Sequence, residues 1–385
     1  VRLMTEHATP DHGERAHAVL SASGADRWLN CPGSVALTRD MPDTSSSYAE
    51  WGTTCHELGE LALRNRLLGE KVVLESDKYD AEMYAAVAAY RNFAEGILAE
   101  HDEEPLIWIE ERLDFSRWVP GGFGTADLVL VFPRAKKAYM VDLKGGQGIK
   151  VFAADNPQLK LYGAGVLDLL DCIVEIQSIE LCIVQPRIAH FDRWEISAEE
   201  LLVWLEDIKP IAHDAYKGSA TLRAGDHCTF CKVRATCPER AREAVSTFEE
   251  HDAIPGLLSF EQIAALLPKL DRIINWAKNI QDFAYVQARD HGGKIPGYKL
   301  VAGRSNRRWT DEARVAEVLK QDGFNDDDIW TKKLLGITDA EKLVGKKHRV
   351  FELAQKAEGK PTLVPESDPR AEWHSAEATL AAFDD

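Results

Sequence analysis

Apolar residues recur at helical spacing in the first hundred residues, and the pattern then changes to that of β-strands. Recurrence every three or four residues predicts helices over about 50–68 and 81–100. From residue 105 the apolar residues come in short runs, over 105–113, 125–132 and 137–143, which predict three strands. Glycine and proline residues between these runs supply the turns.

Helices and strands alternate in the next hundred residues. Asn156 and Pro157 open a predicted helix that extends to about residue 171, because Asn caps a helix and Pro suits its first position. Strands over 178–184 and 193–196 and a helix over 198–216 follow. Over 258–290 the spacing predicts two helices joined near Pro268. This order of elements predicts an α/β fold.

Composition divides the chain into five segments. We expect a leader over 1–20, a core domain with its cysteine cluster over 21–245 and a helical connector over 246–293. A small basic domain follows over 294–360, where 15 Lys and Arg residues stand against 11 Asp and Glu. The acidic, proline-containing tail over 361–385 has the composition of a disordered end.

Charge and cysteine content narrow the class of protein. A net charge of −17 argues against indiscriminate nucleic-acid binding, so a DNA enzyme of this composition would concentrate positive charge locally or use divalent metals. No apolar run reaches the roughly 18 residues of a membrane helix, and the first fifteen residues lack a signal-peptide pattern. We therefore expect a cytoplasmic protein without a membrane partner. Seven cysteines in a reducing compartment favour metal or cluster ligation over disulfides.

Two aspartates and a lysine lie at predicted strand ends. Asp127 begins an apolar strand after a glycine-containing turn, and Asp142 ends the next strand. Asp142 and Lys144 are two residues apart, so they project from the same side of a strand. Paired carboxylates suit a hard ion such as Mg²⁺ or Mn²⁺, and the lysine can hold or deprotonate a water and neutralise charge on a phosphate. An isolated Asp-x-Lys is usually a surface ion pair, so the upstream Gly-Thr-Ala-Asp is needed for this interpretation.

Three further residues extend this set. His56 lies on the first long helix, where a neutral imidazole could be a third metal ligand, although a lone helical histidine is more often structural. Gln158 and Tyr162 are four residues apart on a helix and share a face. Gln158 could bond a nucleotide or the motif backbone, and Tyr162 could stack on a base or bond a phosphate. Glu57, Glu60 and Glu111 are acidic residues that could also enter the site.

Four cysteines are candidates for a second metal centre. Cys228, Cys231 and Cys237 offer three thiolates within ten residues, and Cys31 could supply the fourth from almost two hundred residues away. Four thiolates suit a [4Fe–4S] cluster or Zn²⁺, and the spacing does not decide between them. The other three cysteines lie in apolar contexts and are expected in the core: Cys55, Cys172 and Cys182.

Read together, these motifs resemble the RecB-like branch of the PD-(D/E)xK nuclease superfamily. That branch has a helical His, Gly-x-x-Asp, [Asp/Glu]-x-Lys and Gln-x-x-x-Tyr in this order, and all four occur here over about 50–165. The resemblance implies a restriction-endonuclease-like core with a mixed central sheet flanked by helices. It implies metal ligands from His56, Asp127, Asp142 and the Leu143 carbonyl, a catalytic Lys144, and a supporting pair, Gln158 and Tyr162.

The cysteines extend the resemblance to CRISPR-associated RecB-like nucleases and AddB-type helicase–nucleases. Those families place one cysteine before the nuclease core and three after it, which implies a [4Fe–4S] cluster rather than zinc. The whole chain is also similar to an uncharacterised family of phage and prophage nucleases. The implied function is metal-dependent DNA exonuclease activity in phage recombination or DNA processing, beside a single-strand annealing or binding protein.

The C-terminal segment is a candidate DNA contact, because Arg304, Arg307, Arg308 and Trp309 combine cations with a ring that can stack on a base. A solvated basic face is the alternative. Two alternatives to the exonuclease stay open: an inert DNA-end-binding scaffold and a nuclease of the CRISPR-adaptation kind. The chain has no P-loop and therefore no motor of its own. Cleavage polarity, strand preference and oligomeric state do not follow from the sequence.

Overall fold

The computed structural model describes residues 18–42, 47–147, 149–252, 258–301, 311–323 and 325–330, with residues 336, 337, 339, 345 and 349. The chain divides into two compact units, Val1–Leu300 and Val301–Asp385. The first unit holds the sheet and the sequence-predicted metal sites. In the second unit, the described residues include α9 (Glu312–Gln321) and α10 (Asp326–Ile329).

The first unit contains a five-stranded mixed sheet flanked by helices. Its strands are β1 (Leu106–Asp114), β2 (Phe123–Phe132), β3 (Lys137–Leu143), β4 (Ser178–Gln185) and β5 (His190–Ser197). They lie in the order β1-β2-β3-β4-β5, and β3 and β4 are parallel while the other neighbours are antiparallel. The helices are α1 (Ala25–Asn30), α2 (Gly33–Thr38), α3 (Ser47–Leu68), α4 (Ala81–Ala99), α5 (Pro157–Leu169), α6 (Ala198–Lys217), α7 (Pro238–Asp252) and α8 (Phe260–Asp290).

Each face of the sheet is covered by its own apolar layer. Residues of α1, α5 and α6 pack with one set of strand residues, including Val129, Val131 and Met140. Residues of α3 and α4 pack with the alternate set, including Leu130 and Val141. Side chains alternate along a strand, so burial on both faces accounts for the nearly continuous apolar runs of β2 and β4.

The alternation of β1 and β2 changes phase in the middle of both strands. Ala126 packs in the α5 layer whereas Leu128, two residues later, packs in the α3–α4 layer. In β1, Ile109 packs in the α3–α4 layer, and Glu110 adopts a left-handed φ of 53°. A residue in this conformation breaks the regular pleat, so its side chain leaves the expected alternation. The phase change affects one place in the sheet, where β1 meets β2.

Several sequence expectations about local structure need correction. The segment over 258–290 is one helix, α8, rather than two, with Pro268 inside it. Pro268 lies on the exposed side of α8, where water can bond the carbonyl group that loses its N–H partner. Cys55 and Cys182 are buried as expected, but Cys172 is exposed in a turn after α5, at a φ of 61°.

None of the described helices combines the length and the hydrophobicity that a membrane-spanning helix needs.

Candidate active site and cysteine pocket

Three carboxylates lie in a row across the sheet, on neighbouring strands. The register of β1 and β2 places Glu110 opposite Asp127, since Ile109 pairs with Leu128 and Glu111 with Ala126. The register of β2 and β3 likewise places Asp127 opposite Asp142, since Leu128 pairs with Val141. The row lies where the strands change phase, next to the N-terminal part of α5 and the middle of α3.

On the α3 side, His56 faces two of these carboxylates. Its Nδ1 lies 3.3 Å from Asp127 Oδ1 and 4.0 Å from Glu110 Oε1. The three side chains each offer a ligand atom within 4.8 Å of the other two. The second oxygen of Asp127 accepts a 2.7 Å hydrogen bond from the Leu143 N–H. Asp127 is therefore fixed by β3 and aimed at the imidazole by the same bond.

On the α5 side, Asp142 and Lys144 form a hydrogen-bonded set with Gln158. Lys144 Nζ lies 2.8 Å from Asp142 Oδ2 and donates to Gln158 Oε1 at 3.0 Å. The amide nitrogen of Gln158 donates to Asp142 Oδ1 at 3.0 Å, and lies 3.2 Å from Tyr162 Oη. Asp142 Oδ2 is buried and, despite the nearby ammonium group, has no hydrogen bond of acceptable geometry. Gln158 thus orients the lysine and the aspartate together.

Tyr162 has a supporting position rather than a base-stacking one. Its side chain is buried in the layer between α5 and the sheet. A Cβ atom at Gly124 would lie 2.8 Å from Cε1 of the tyrosine ring, so only glycine allows β2 to approach Tyr162 this closely. This contact explains why the glycine of Gly-Thr-Ala-Asp and the tyrosine of Gln-x-x-x-Tyr occur together. A ring buried this deeply does not offer a face for stacking on a base, and a bond from the Tyr162 hydroxyl group to a phosphate stays a prediction.

Two residues of the site are additions to the sequence-predicted set. Glu110 enters it in place of Glu111, because the left-handed backbone at Glu110 turns its side chain toward His56. Two consecutive glutamates in an otherwise apolar strand are visible in the sequence, but the sequence does not show which of the two faces the site. Tyr90, on α4, has a buried hydroxyl group without a hydrogen-bond partner among the described residues.

The other two acidic residues considered from the sequence have partners of their own. Glu57 bonds Lys78 through an ion pair at the surface. Glu60 accepts a 2.9 Å hydrogen bond from Arg64 one turn along α3. Neither belongs to the set of ligand atoms around His56.

Burial and mutual charge shift the pKa of each titratable group in the site. Burial raises the pKa of Asp142, and the nearby Asp127 raises it further, against the lowering effect of Lys144. Burial raises the pKa of Asp127, but the charge and hydrogen bond of His56 lower it by more, so the pKa of Asp127 is below its usual value. The pKa of His56 is raised to about 9, because the carboxylates outweigh burial. Burial lowers the pKa of Lys144, but the charge of Asp142 and its hydrogen bond raise it by more, so the lysine is charged at neutral pH.

The same carboxylates also affect the pKa of the Tyr90 hydroxyl group. Burial raises the pKa of Tyr90 well above its usual range, and Asp127, Glu110 and Asp142 raise it further. The phenol therefore stays protonated beside the three acids. It is a hydrogen-bond donor without an acceptor.

The four predicted cluster cysteines line one pocket, between the end of α1 and the turns that precede α7. Cys31, Cys228 and Cys231 are buried and Cys237 is half-buried. The same pocket is lined by four arginines and a histidine: Arg27, Arg223, Arg234, Arg240 and His227. Burial opposes thiolate formation at Cys31, but hydrogen bonds from His227 and the backbone, with the charge of His227, lower its pKa.

Direct contacts already join the two distant segments that carry these cysteines. The Arg223 N–H donates to Cys31 Sγ at 3.4 Å. The Gly33 N–H donates to the Thr221 carbonyl at 2.8 Å, and a Cβ at Gly33 would lie only 2.7 Å from that oxygen. Glycine is therefore required where the N-terminal segment crosses residues 221–223.

The predicted DNA-contacting residues lie outside the described residues: Arg304, Arg307, Arg308 and Trp309. Their role stays a prediction, as does the Leu143 carbonyl as a metal ligand.

Comparison with known proteins gives a family without an assigned activity. A solved structure described as "Crystal structure of SSO0001" is similar over 58% of this chain and 88% of that chain, at 14% sequence identity. Its TM-score is 0.27, which is too low to support an argument about fold or function. The family described as "Protein of unknown function (DUF2800)" matches residues 17–371. The match covers most of the 385 residues, and the chain therefore belongs to this family.

Proposed function

We propose that this protein is a divalent-metal-dependent deoxyribonuclease with a PD-(D/E)xK-type core, acting as an exonuclease. The observation that carries the proposal is the row Glu110, Asp127 and Asp142 beside His56 and Lys144. Three buried or half-buried carboxylates side by side are costly unless a cation or a proton offsets their charge. Mg²⁺ and Mn²⁺ prefer such oxygen-rich sets, and an imidazole nitrogen suits Mn²⁺ as well.

The residues present fit a bound ion on two grounds. Asp142 Oδ2 is buried 2.8 Å from the Lys144 ammonium group and has no other hydrogen-bond donor among the described residues, so a second lone pair stays available to a ligand. His56, Glu110 and Asp127 offer three ligand atoms within 4.8 Å of one another. These residues and Asp142 would hold the ion. A bound Mg²⁺ or Mn²⁺ supplies Lewis acidity toward a phosphate oxygen and lowers the pKa of a coordinated water.

The protein side chains around the ion would hold one another in position and neutralise the charge that develops on the phosphate. Lys144 is held between Asp142 and Gln158, and its raised pKa keeps it charged at neutral pH. We therefore assign it to neutralising the charge that develops on the phosphate, rather than to taking a proton from water. Gln158 fixes the ammonium group, and buried Tyr162 restricts the position of Gln158. The Leu143 N–H holds Asp127 in its orientation.

An assay on end-labelled single-stranded and double-stranded DNA tests this proposal. Degradation should require Mg²⁺ or Mn²⁺ and stop when EDTA is added. Release of mononucleotides or short oligonucleotides from one end indicates an exonuclease, whereas internal fragments indicate an endonuclease. Wild-type protein that binds DNA ends without cutting them, at any divalent ion, would instead support the inert scaffold.

We further propose that the cysteine pocket binds a [4Fe–4S] cluster. Four cysteines that line one pocket can ligate either zinc or a [4Fe–4S] cluster. The resemblance to nucleases with one cysteine before the core and three after it favours the cluster.

The arginines of the pocket add a second argument. A [4Fe–4S] centre with four thiolates carries net negative charge, which Arg27, Arg223, Arg234 and Arg240 would offset. Anaerobically purified protein should be brown, with absorbance near about 400 nm and iron and sulfide in equal amounts. A colourless protein with one zinc per chain would reverse this assignment.

A further inference from the structure

The long helix α8 carries an apolar stripe that the described residues leave exposed. The helix has 31 residues, begins with a capping box at Ser259 and has no fully buried residue. Its large apolar side chains are spaced alternately by three and four residues, and their exposed fractions are 87%, 39%, 41%, 38% and 48%: Phe260, Ile263, Leu267, Leu270 and Ile274. This spacing is that of the a and d positions of a coiled coil.

The same spacing continues with small or polar residues in the second half of the helix. The next positions are Ala277, Gln281, Ala284 and Ala288. The stripe therefore changes from large side chains to small ones along its length. A helix that ran in the same direction beside it would place large residues against large ones, and alanines against alanines at the other end.

We propose that α8 packs against α8 of a second copy of the chain in an antiparallel coiled coil. In this arrangement the large half of each helix lies against the small half of the other. With Ile274 opposite Ala277 of the second copy, the heptad register also places Leu267 opposite Ala284 and Ile263 opposite Ala288 of that copy, and Leu270 opposite Gln281. At the three pairs that contain alanine, a large side chain lies opposite a small one, which fills the seam without voids.

Charge supports the same register. Asp271 and Lys278 both occupy the e position beside the seam, both are exposed, and neither forms an ion pair with another described residue. In an antiparallel pair the e positions of the two helices face each other, so Asp271 lies beside Lys278 of the second copy, twice per dimer. A parallel pair would place each charge beside an apolar g position instead. Volume and charge therefore both select a second copy of this helix as the partner.

Sedimentation velocity and light scattering on the full chain test the proposal without reference to its activity. We expect a reversible dimer of twice the 42.9 kDa monomer mass. Leu270→Glu should raise the dimer dissociation constant by at least about a hundredfold, because it replaces an apolar side chain of the seam by a charged one in both copies. Val203→Glu is the control, since Val203 is an exposed apolar residue on α6.

Charge reversal tests the register itself. Asp271→Lys should weaken the dimer by roughly tenfold, because two attractive pairs become repulsive. Adding Lys278→Asp should restore the wild-type dissociation constant. A wild-type chain that stays monomeric at all concentrations would overturn the proposal. So would a dimer that Leu270→Glu leaves intact, or one in which the double reversal does not restore affinity.

Discussion

The carboxylate site and the cysteine pocket are built in opposite ways. In the first, three neighbouring strands and the helices α3 and α5 position the side chains of the candidate ligands and of Lys144, and hydrogen bonds connect Asp127 to Leu143 and Asp142 to Gln158. In the second, Cys31 follows a helix of six residues, Cys228 ends a 3-10 helix of three residues, and Cys231 and Cys237 lie in the irregular segment before α7. The first is preorganised before any ligand binds, whereas the second depends more on what it binds. Changes at the first site should therefore affect chemistry, and changes at the second should affect stability.

The largest expected effect is on cleavage and comes from Asp142→Asn. Loss of a ligand should cost about 4 kcal/mol of transition-state stabilisation, or roughly a thousandfold in rate. The melting temperature should change little, because burial already disfavours the charged form of Asp142. Glu180→Gln is a matched control, since Glu180 is a buried carboxylate that pairs with Lys137 and Arg193 at the other end of the strands. Undiminished cleavage by pure Asp142→Asn protein would refute the assigned role.

The second effect is on stability and comes from Cys31→Ser. If a cluster joins the two segments, this variant should lose iron as fully as Cys231→Ser and melt roughly 5–10 °C lower than the wild type. Cys172→Ser is the control, because Cys172 is exposed and does not line the pocket. Full iron content in Cys31→Ser would show that the N-terminal cysteine is not a ligand.

A smaller effect distinguishes two adjacent glutamates. Glu110→Gln should weaken Mn²⁺ binding by about 10–100-fold, measured by titration calorimetry, since Glu110 is the one of these two glutamates that faces His56. Glu111→Gln, one residue along β1, should leave the affinity within about twofold. Equal effects of the two substitutions would contradict the assignment that rests on the left-handed backbone at Glu110.

The smallest effect concerns the unpartnered hydroxyl group of Tyr90. Its burial without an acceptor costs about 1–3 kcal/mol, so Tyr90→Phe should leave the metal-free protein as stable as the wild type or more stable. If the hydroxyl bonds a ligand of the proposed nuclease, Tyr90→Phe should lower cleavage by up to roughly tenfold. A variant that is less stable than the wild type, by thermal unfolding, would mean that the hydroxyl already has a partner.

Much of the fold could be predicted from the sequence, because the apolar residues of its helices and strands recur at regular spacing. The predicted strand over 137–143 matches β3, and the helix opened by Asn156 and Pro157 is α5, where Asn156 accepts hydrogen bonds from two backbone N–H groups. Pro268 led to the wrong prediction of two helices, because a proline disfavours a helix locally. The remaining residues of α8 stabilise the helix enough to outweigh one lost hydrogen bond.

The sequence by itself determined the order of His56, Asp127, Asp142, Lys144 and Gln158, because each belongs to a motif with fixed local spacing. The structure brings these five residues together, and it brings the distant Cys31 to the pocket of the three later cysteines. Only the tertiary structure decided that Glu110, not Glu111, faces His56, and that Tyr162 is buried against Gly124. Local spacing assumes a regular backbone. A left-handed residue or a close approach between a strand and a helix arises from packing between segments that are distant in the chain.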